Sequence, residues 1–389
     1  MAGEEEEDGQ QVQQEACMGE EAMDETKVET MTPKDFVDAI AQEGGQLLVK
    51  WHKMITKNPP KVDAFLEPTN TAKNRFPNIL LYDRSRVKIK DNLGSDYYHA
   101  SFVDSYDKID GYVLAQAPFD DDTESDFWRV VYQERPKLIV LLSTLTGEDG
   151  RKLMRNFWPS EAKEERRFVK GYIVVRCNSV DQEKDSDSYQ LLVMGPGQRG
   201  KSGLRTTLIH YKKWIEDKAI PDSLLEFRAT VKLATTRAVK GGLDGPVCLV
   251  CPSGVHRCGT FAVLDIILDR LANERKTGII IPFEDRKFGH TGWWENIACT
   301  GSFKRVESLI GFGSATIPPF CHGYLCVRQG TSVMLRSVGL LETVAIVRKQ
   351  RYGCVTHFAH YNHVADLIVR QAISSGIVDP SCIGSGKKK

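Results

Sequence analysis

The sequence predicts an α/β or α+β domain built on one central twisted mixed sheet flanked by helices. Three observations carry that expectation. Short β-branched or aromatic runs recur along the chain, amphipathic stretches with apolar residues at three-and-four spacing alternate with them, and one apolar run passes through a Gly-containing turn straight into such a stretch.

In chain order, residues 1–31 come first. They hold eleven Asp and Glu against one Lys and show no apolar periodicity, so they bury too little surface to offset their ordering entropy and are expected to be disordered. Thr32-Pro33 reads as an N-cap with Pro in the first helical turn, opening an amphipathic helix over 34–40 that packs on the domain. Strands are predicted at 112–115, 138–142, 172–175, 189–193 and 247–250. Helices are predicted at 122–133, 223–239, 259–275 and 340–351. One domain is expected over 32–378. Residues 278–332 interrupt it with Gly, aromatic residues and little periodicity, which reads either as a surface insertion or as a translated intron. The tail 379–389 is expected to be flexible.

Bulk properties narrow the class. With 41% hydrophobic residues in 389 the chain has ample material for a core. Formal net charge is zero, but the acidic start leaves the rest of the chain basic, which suits an anionic substrate without requiring one. No apolar run reaches the roughly 18 residues that a membrane helix needs, and no signal peptide opens the chain, so a soluble, cytoplasmic protein without membrane insertion is expected. The ten cysteines lack the regular spacings of a disulfide scaffold and are expected as thiols.

One of those thiols stands where chemistry is expected. The apolar run 247–250 is followed by Cys251-Pro252-Ser253-Gly254-Val255-His256-Arg257-Cys258 and then by an amphipathic helix. In a strand, tight loop and helix N-terminus, backbone N–H groups point at a tetrahedral anion and the helix dipole adds partial positive charge. An Arg at the loop's end clamps two oxygens. The same field drives Cys251 toward the thiolate, so anion site and nucleophile coincide.

This loop resembles that of the protein tyrosine phosphatases, usually written His-Cys-Ser-x-Gly-x-Gly-Arg-Ser/Thr-Gly. Further segments resemble the family in order. They are Lys73-Asn74-Arg75-Phe76-Pro77-Asn78-Ile79, then Tyr112-Val113-Leu114-Ala115-Gln116-Ala117-Pro118, then Asp126-Phe127-Trp128-Arg129, 139–142, Phe157-Trp158-Pro159, and Arg348-Lys349-Gln350-Arg351-Tyr352-Gly353-Cys354-Val355.

The resemblance implies hydrolysis of phosphotyrosine in proteins through a phosphocysteine intermediate, with phosphotyrosine proteins as partners and no cofactor, metal or nucleic acid. It implies Cys251 as nucleophile and Arg257 as clamp. Phe76 takes the place of the Tyr that stacks on the substrate ring, with Asn78 beside it. Ser253, Gly254, Val255, His256 and Cys258 belong to the binding loop. The general acid falls in Trp214-Ile215-Glu216-Asp217-Lys218-Ala219-Ile220-Pro221, at Glu216 counted from Trp214 or at Asp217 counted from Pro221. His360 falls where the family has the Gln that positions water, and Thr356 at an earlier Gln.

Several positions depart from the family pattern and imply attenuated turnover. Pro252 carries no N–H. His256 stands for a Gly, which implies a strained or reshaped loop, although its imidazole offers a charge beside the thiolate. Cys258 supplies a thiol where the family has a stronger hydroxyl donor. Val250 replaces the family's His. The alternative is therefore a pseudophosphatase that binds phosphotyrosine proteins as a scaffold. Cys248, Cys251, His256 and Cys258, and separately Cys321, His322 and Cys326, have metal-ligand residue types, but Cys248 reads more simply as a core residue. A purely structural interaction protein acting through the acidic tail has only composition behind it.

Overall fold

The computed structural model describes residues 33–43, 61–196, 203–215, 220–274 and 339–378. The acidic start 1–31, Thr32, the acid candidates Glu216 and Asp217, the stretch 278–332 with Cys321, His322 and Cys326, and the tail 379–389 lie outside the described residues.

The described strands form one nine-stranded sheet. They are β1 (Arg86–Lys88), β2 (Tyr97–Val103), β3 (Tyr112–Gln116), β4 (Leu138–Leu141), β5 (Glu165–Phe168), β6 (Ile173–Gln182), β7 (Ser186–Met194), β8 (Leu204–Tyr211) and β9 (Val247–Cys251), in the order β1-β2-β3-β9-β4-β8-β7-β6-β5. The four central strands β3, β9, β4 and β8 run parallel, and the outer pairs are antiparallel. The expected mixed sheet is therefore present. The chain pattern explains the split. Val247-Cys248-Leu249-Val250-Cys251 is buried at every position, as a parallel strand covered on both faces must be, whereas β6 alternates from Ile173 through Cys177 between buried and more exposed residues.

Seven α-helices are described: α1 (Pro33–Glu43), α2 (Asp63–Leu66), α3 (Asp121–Glu134), α4 (Leu224–Lys240), α5 (His256–Glu274), α6 (Leu340–Gln350) and α7 (Phe358–Ser374). One sheet face packs against α4, α5, α6 and α7, with Val247, Leu249 and Cys251 among Phe227, Phe261, Val344 and Tyr361. The other face packs against α3, with Cys248 and Val250 among Phe127, Trp128 and Val131. The two-residue period of the strand thus separates the cysteines. Cys248 is a core residue on the face opposite Cys251 and Cys258, and burial pushes its thiol up to about 12.

The N-terminal amphipathic stretch is helical as expected, and buries Phe36 and Val37, the latter against Ala372 of α7. Helix α3 begins at a reciprocal cap: the Asp120 carboxylate accepts from the Thr123 N–H at 2.8 Å, and Thr123 Oγ1 accepts from the Asp120 N–H at 3.1 Å. Helix α5 starts three residues earlier than its apolar periodicity predicts, so His256, Arg257 and Cys258 stand on its first turn.

Candidate active site

Because β3, β9 and β4 are parallel, their C-terminal ends lie at one edge of the sheet, where ligands of open α/β sheets bind. That edge carries Gln116 at the end of β3, Ser143 just beyond β4 and Cys251 at the end of β9. The chain leaves β9 through Pro252-Ser253-Gly254-Val255 and enters α5 at His256. The turn is closed by the Gly254 N–H donating to the Cys251 carbonyl at 3.0 Å. Gly254 is required here: its φ is +68°, and a Cβ would stand 2.4 Å from the Gln116 backbone nitrogen. His256 needs no such freedom, since the positive φ falls on Gly254 and His256 opens the helix. The strain expected at His256 is absent.

The outer side of the loop is held by Arg351, fully buried after α6. Its Nε donates to the Gly254 carbonyl at 3.2 Å, its Nη1 to Ser101 Oγ at 3.1 Å, and its Nη2 to His99 Nδ1 at 2.9 Å. His99 is neutral: burial first, and then the Arg351 charge, push it down to about 3. Its other ring nitrogen, Nε2, therefore carries the proton and donates to the Ile79 carbonyl at 2.9 Å.

Inside, Cys251 is 1% exposed. Burial raises its pKa, but the Cys258 S–H, the Arg257 guanidinium, the Cys258 N–H and the Ser253 hydroxyl together outweigh that and hold the thiol well below its usual range. Ser253 Oγ lies 3.8 Å from the Cys251 sulfur. Cys258 takes the opposite direction: burial, and then the neighbouring Cys251 charge, raise it, so it stays protonated and donates. The His256 ring packs 5.0 Å from the ring of His357, which in turn stands 5.7 Å from that of His360.

Arg257 is 5% exposed, and its Nη1 donates to Ser143 Oγ at 2.8 Å. Among the described residues no carboxylate pairs with it. A buried guanidinium held by a neutral hydroxyl beside a thiolate is a site that favours an incoming anion.

The remaining predicted residues are placed as follows. Phe76 is half-buried and Asn78 exposed, on a loop tied to the sheet edge by Gln116. The Gln116 side chain accepts from the Arg75 N–H at 2.9 Å and donates to the Lys73 carbonyl at 3.1 Å, and the Arg75 guanidinium lies over the Phe76 ring at 5.4 Å. His360, half-buried on the first turn of α7, lies 3.5 Å from Thr260 Oγ1 through Nδ1 and packs edge-on against Trp214. Trp214 and Ile220 are both buried. Val355, between α6 and α7, has φ +54°, costly for a β-branched residue, and Arg348 donates to its carbonyl at 2.8 Å. Ser143, His99 and Ser101 are site residues that the one-dimensional reading did not single out.

At this sheet edge a buried cysteine held below its usual pKa, a tight strand-to-helix loop and a buried arginine on the first turn of the helix stand together. Residues 70–283 match the family model described as Protein-tyrosine phosphatase, and the chain belongs to that family as a divergent member. It is similar to receptor-type tyrosine-protein phosphatase zeta of Rattus norvegicus, at 33% identity over 224 residues, covering 56% of this chain and 10% of that protein. It is similar to receptor-type tyrosine-protein phosphatase C of Homo sapiens, at 30% over 249 residues, covering 62% and 18%. It is also similar to tyrosine-protein phosphatase non-receptor type 9 of Homo sapiens, at 29% over 258 residues, covering 62% and 42%. The chain thus spans less than half the length of each of these relatives. Among the described residues no helix is long and apolar enough to cross a membrane.

Proposed function

We propose that this chain hydrolyses phosphotyrosine in proteins through a phosphocysteine at Cys251, with attenuated turnover. The observation that carries the proposal is the pairing of a Cys251 thiol held well below its usual pKa with the buried Arg257, which has a hydroxyl but no carboxylate as partner among the described residues.

In the first step Cys251 Sγ attacks phosphorus and the tyrosine oxygen leaves with a proton from Glu216 or Asp217. Arg257 and the loop N–H groups carry the charge of the transferring phosphoryl group. Phe76 supplies the aromatic face for the tyrosine ring, with Asn78 beside it. In the second step water displaces the thiolate, with Cys258 donating to the departing sulfur and His360 standing where water is positioned. Attenuation follows from Pro252, which offers the phosphate no N–H, and from Cys258, a weaker donor than a hydroxyl.

The test is phosphate release from a phosphotyrosine peptide by wild type, Cys251→Ser, Glu216→Ala and Asp217→Ala, with mass spectrometry for a cysteine-bound phosphoryl group. Slow release abolished by Cys251→Ser supports the proposal, and the acid is the residue whose alanine variant loses the fast first step. Tight peptide binding with neither release nor a trapped phosphocysteine identifies a binding module instead.

A further inference from the structure

We propose that the Ser253 hydroxyl is a built-in competitor of the substrate phosphate, occupying loop amides that a phosphoryl oxygen must take over. The inference rests on the phosphate-binding reading of the loop and names a residue that sets its affinity. Ser253 Oγ accepts from the Val255 N–H at 3.2 Å and from the His256 N–H at 3.3 Å, while lying 3.8 Å from the Cys251 sulfur. Two acceptor sites and one donor site of the hydroxyl are thereby all engaged, and the residue is buried. The oxygen makes the contacts expected of a ligand oxygen: two backbone N–H groups at the start of α5, next to the nucleophile.

The neighbouring donors sharpen the effect. Gly254 donates its N–H to the Cys251 carbonyl, and Pro252 has none, so the Val255 and His256 amides are a large share of what the loop can offer an anion. Substrate must turn the hydroxyl out by rotation about the Ser253 Cα–Cβ bond. Two neutral hydrogen bonds are then exchanged for charge-assisted ones, so binding still proceeds, but from a ground state already stabilised. The hydroxyl also serves the thiolate, so its removal has two opposite consequences, and these distinguish a competitor from a residue that merely supports the fold.

The experiment uses the full chain with Ser253→Ala and the hydroxyl-retaining Ser253→Thr. Inorganic phosphate binding is measured by calorimetry, and the pH dependence of Cys251 alkylation by iodoacetamide gives the thiolate population without requiring turnover. For Ser253→Ala we expect phosphate to bind roughly three- to tenfold more tightly, the scale of one released net hydrogen bond. The alkylation midpoint is expected to move to higher pH, and Ser253→Thr to stay near wild type in both. Equal or weaker phosphate binding by Ser253→Ala, with an unchanged melting transition, overturns the inference. Phosphate binding by neither wild type nor variant overturns the phosphate-site reading itself, and the inference with it.

Discussion

Gln116 pairs with Cys251 across the parallel strands β3 and β9, and its side chain holds the loop that carries Phe76. The strand end beside Cys251 therefore also positions the loop that carries Phe76. Gln116→Ala leaves the Arg75 N–H and the Lys73 carbonyl without that partner, at about 1–3 kcal/mol of stability. We expect KM for a phosphotyrosine peptide to rise severalfold with a smaller change in kcat, because the loss falls on substrate placement. A fall in kcat with KM unchanged would argue instead that Gln116 acts on the nucleophile.

The pH dependence of thiol reactivity follows from the groups around Cys251. Its folded-state pKa is depressed, so the thiolate's stabilising contribution is fully present above the unfolded thiol value of about 8.5 and is lost as pH falls through the folded value. Two outcomes are expected. Iodoacetamide should inactivate the protein at neutral pH far faster than it alkylates a free thiol, and wild type should gain stability over Cys251→Ala as pH rises toward about 8.5. Chemical denaturation at several pH values measures the second.

His99 makes the fold acid-sensitive by an independent route. It is buried neutral at a pKa of about 3, and an unfolded histidine takes up a proton near 6.5. The unfolded state therefore binds more protons over that interval, and stability should decline as pH falls from about 6.5 toward 3, by up to roughly 4 kcal/mol across the whole window. His210, also lowered by burial, adds to the slope. Urea midpoints at pH 7 and pH 5 should differ less for His99→Gln than for wild type. Identical differences would show that His99 does not carry the effect.

Cys258→Ser puts a stronger donor beside Cys251. Decomposition of the phosphocysteine should accelerate by about fivefold, the scale of one improved hydrogen bond. Rapid-quench experiments should show less accumulated phosphoenzyme and a higher steady rate. Slower decomposition would mean that the buried pocket fits sulfur and not a hydroxyl.

Much of the architecture was legible in the chain because local pattern and tertiary environment agree. Strand β9 is a continuous apolar run and is buried on both faces, and α3 begins at a side-chain cap. The misses have physical causes. Strand β8 reads Leu-Arg-Thr-Thr-Leu-Ile-His-Tyr, with too little apolar alternation to signal a strand paired on both edges, and β2 carries His99 and Ser101 in its middle because Arg351 satisfies them. Helix α7 keeps Tyr361, Val364, Ala365 and Ile368 on its buried side, but the polar residues among them mask the period. Cys251 and Arg257 were visible because both lie in one short loop-helix segment. Ser143 was not, because its meaning comes from the strand order that sets β4 beside β9.

The clasp of Arg351 on the Cys251 loop also ties together parts of the chain that are made at very different times. Its Nη1 bonds Ser101, 250 residues earlier in the chain, and its Nε bonds Gly254, 97 residues earlier. A growing polypeptide that has already released β9 and α5 from the ribosome still lacks that guanidinium, so the Gly254 carbonyl is without this donor. A product truncated before Arg351 keeps Cys251 but lacks the guanidinium that donates to the Gly254 carbonyl.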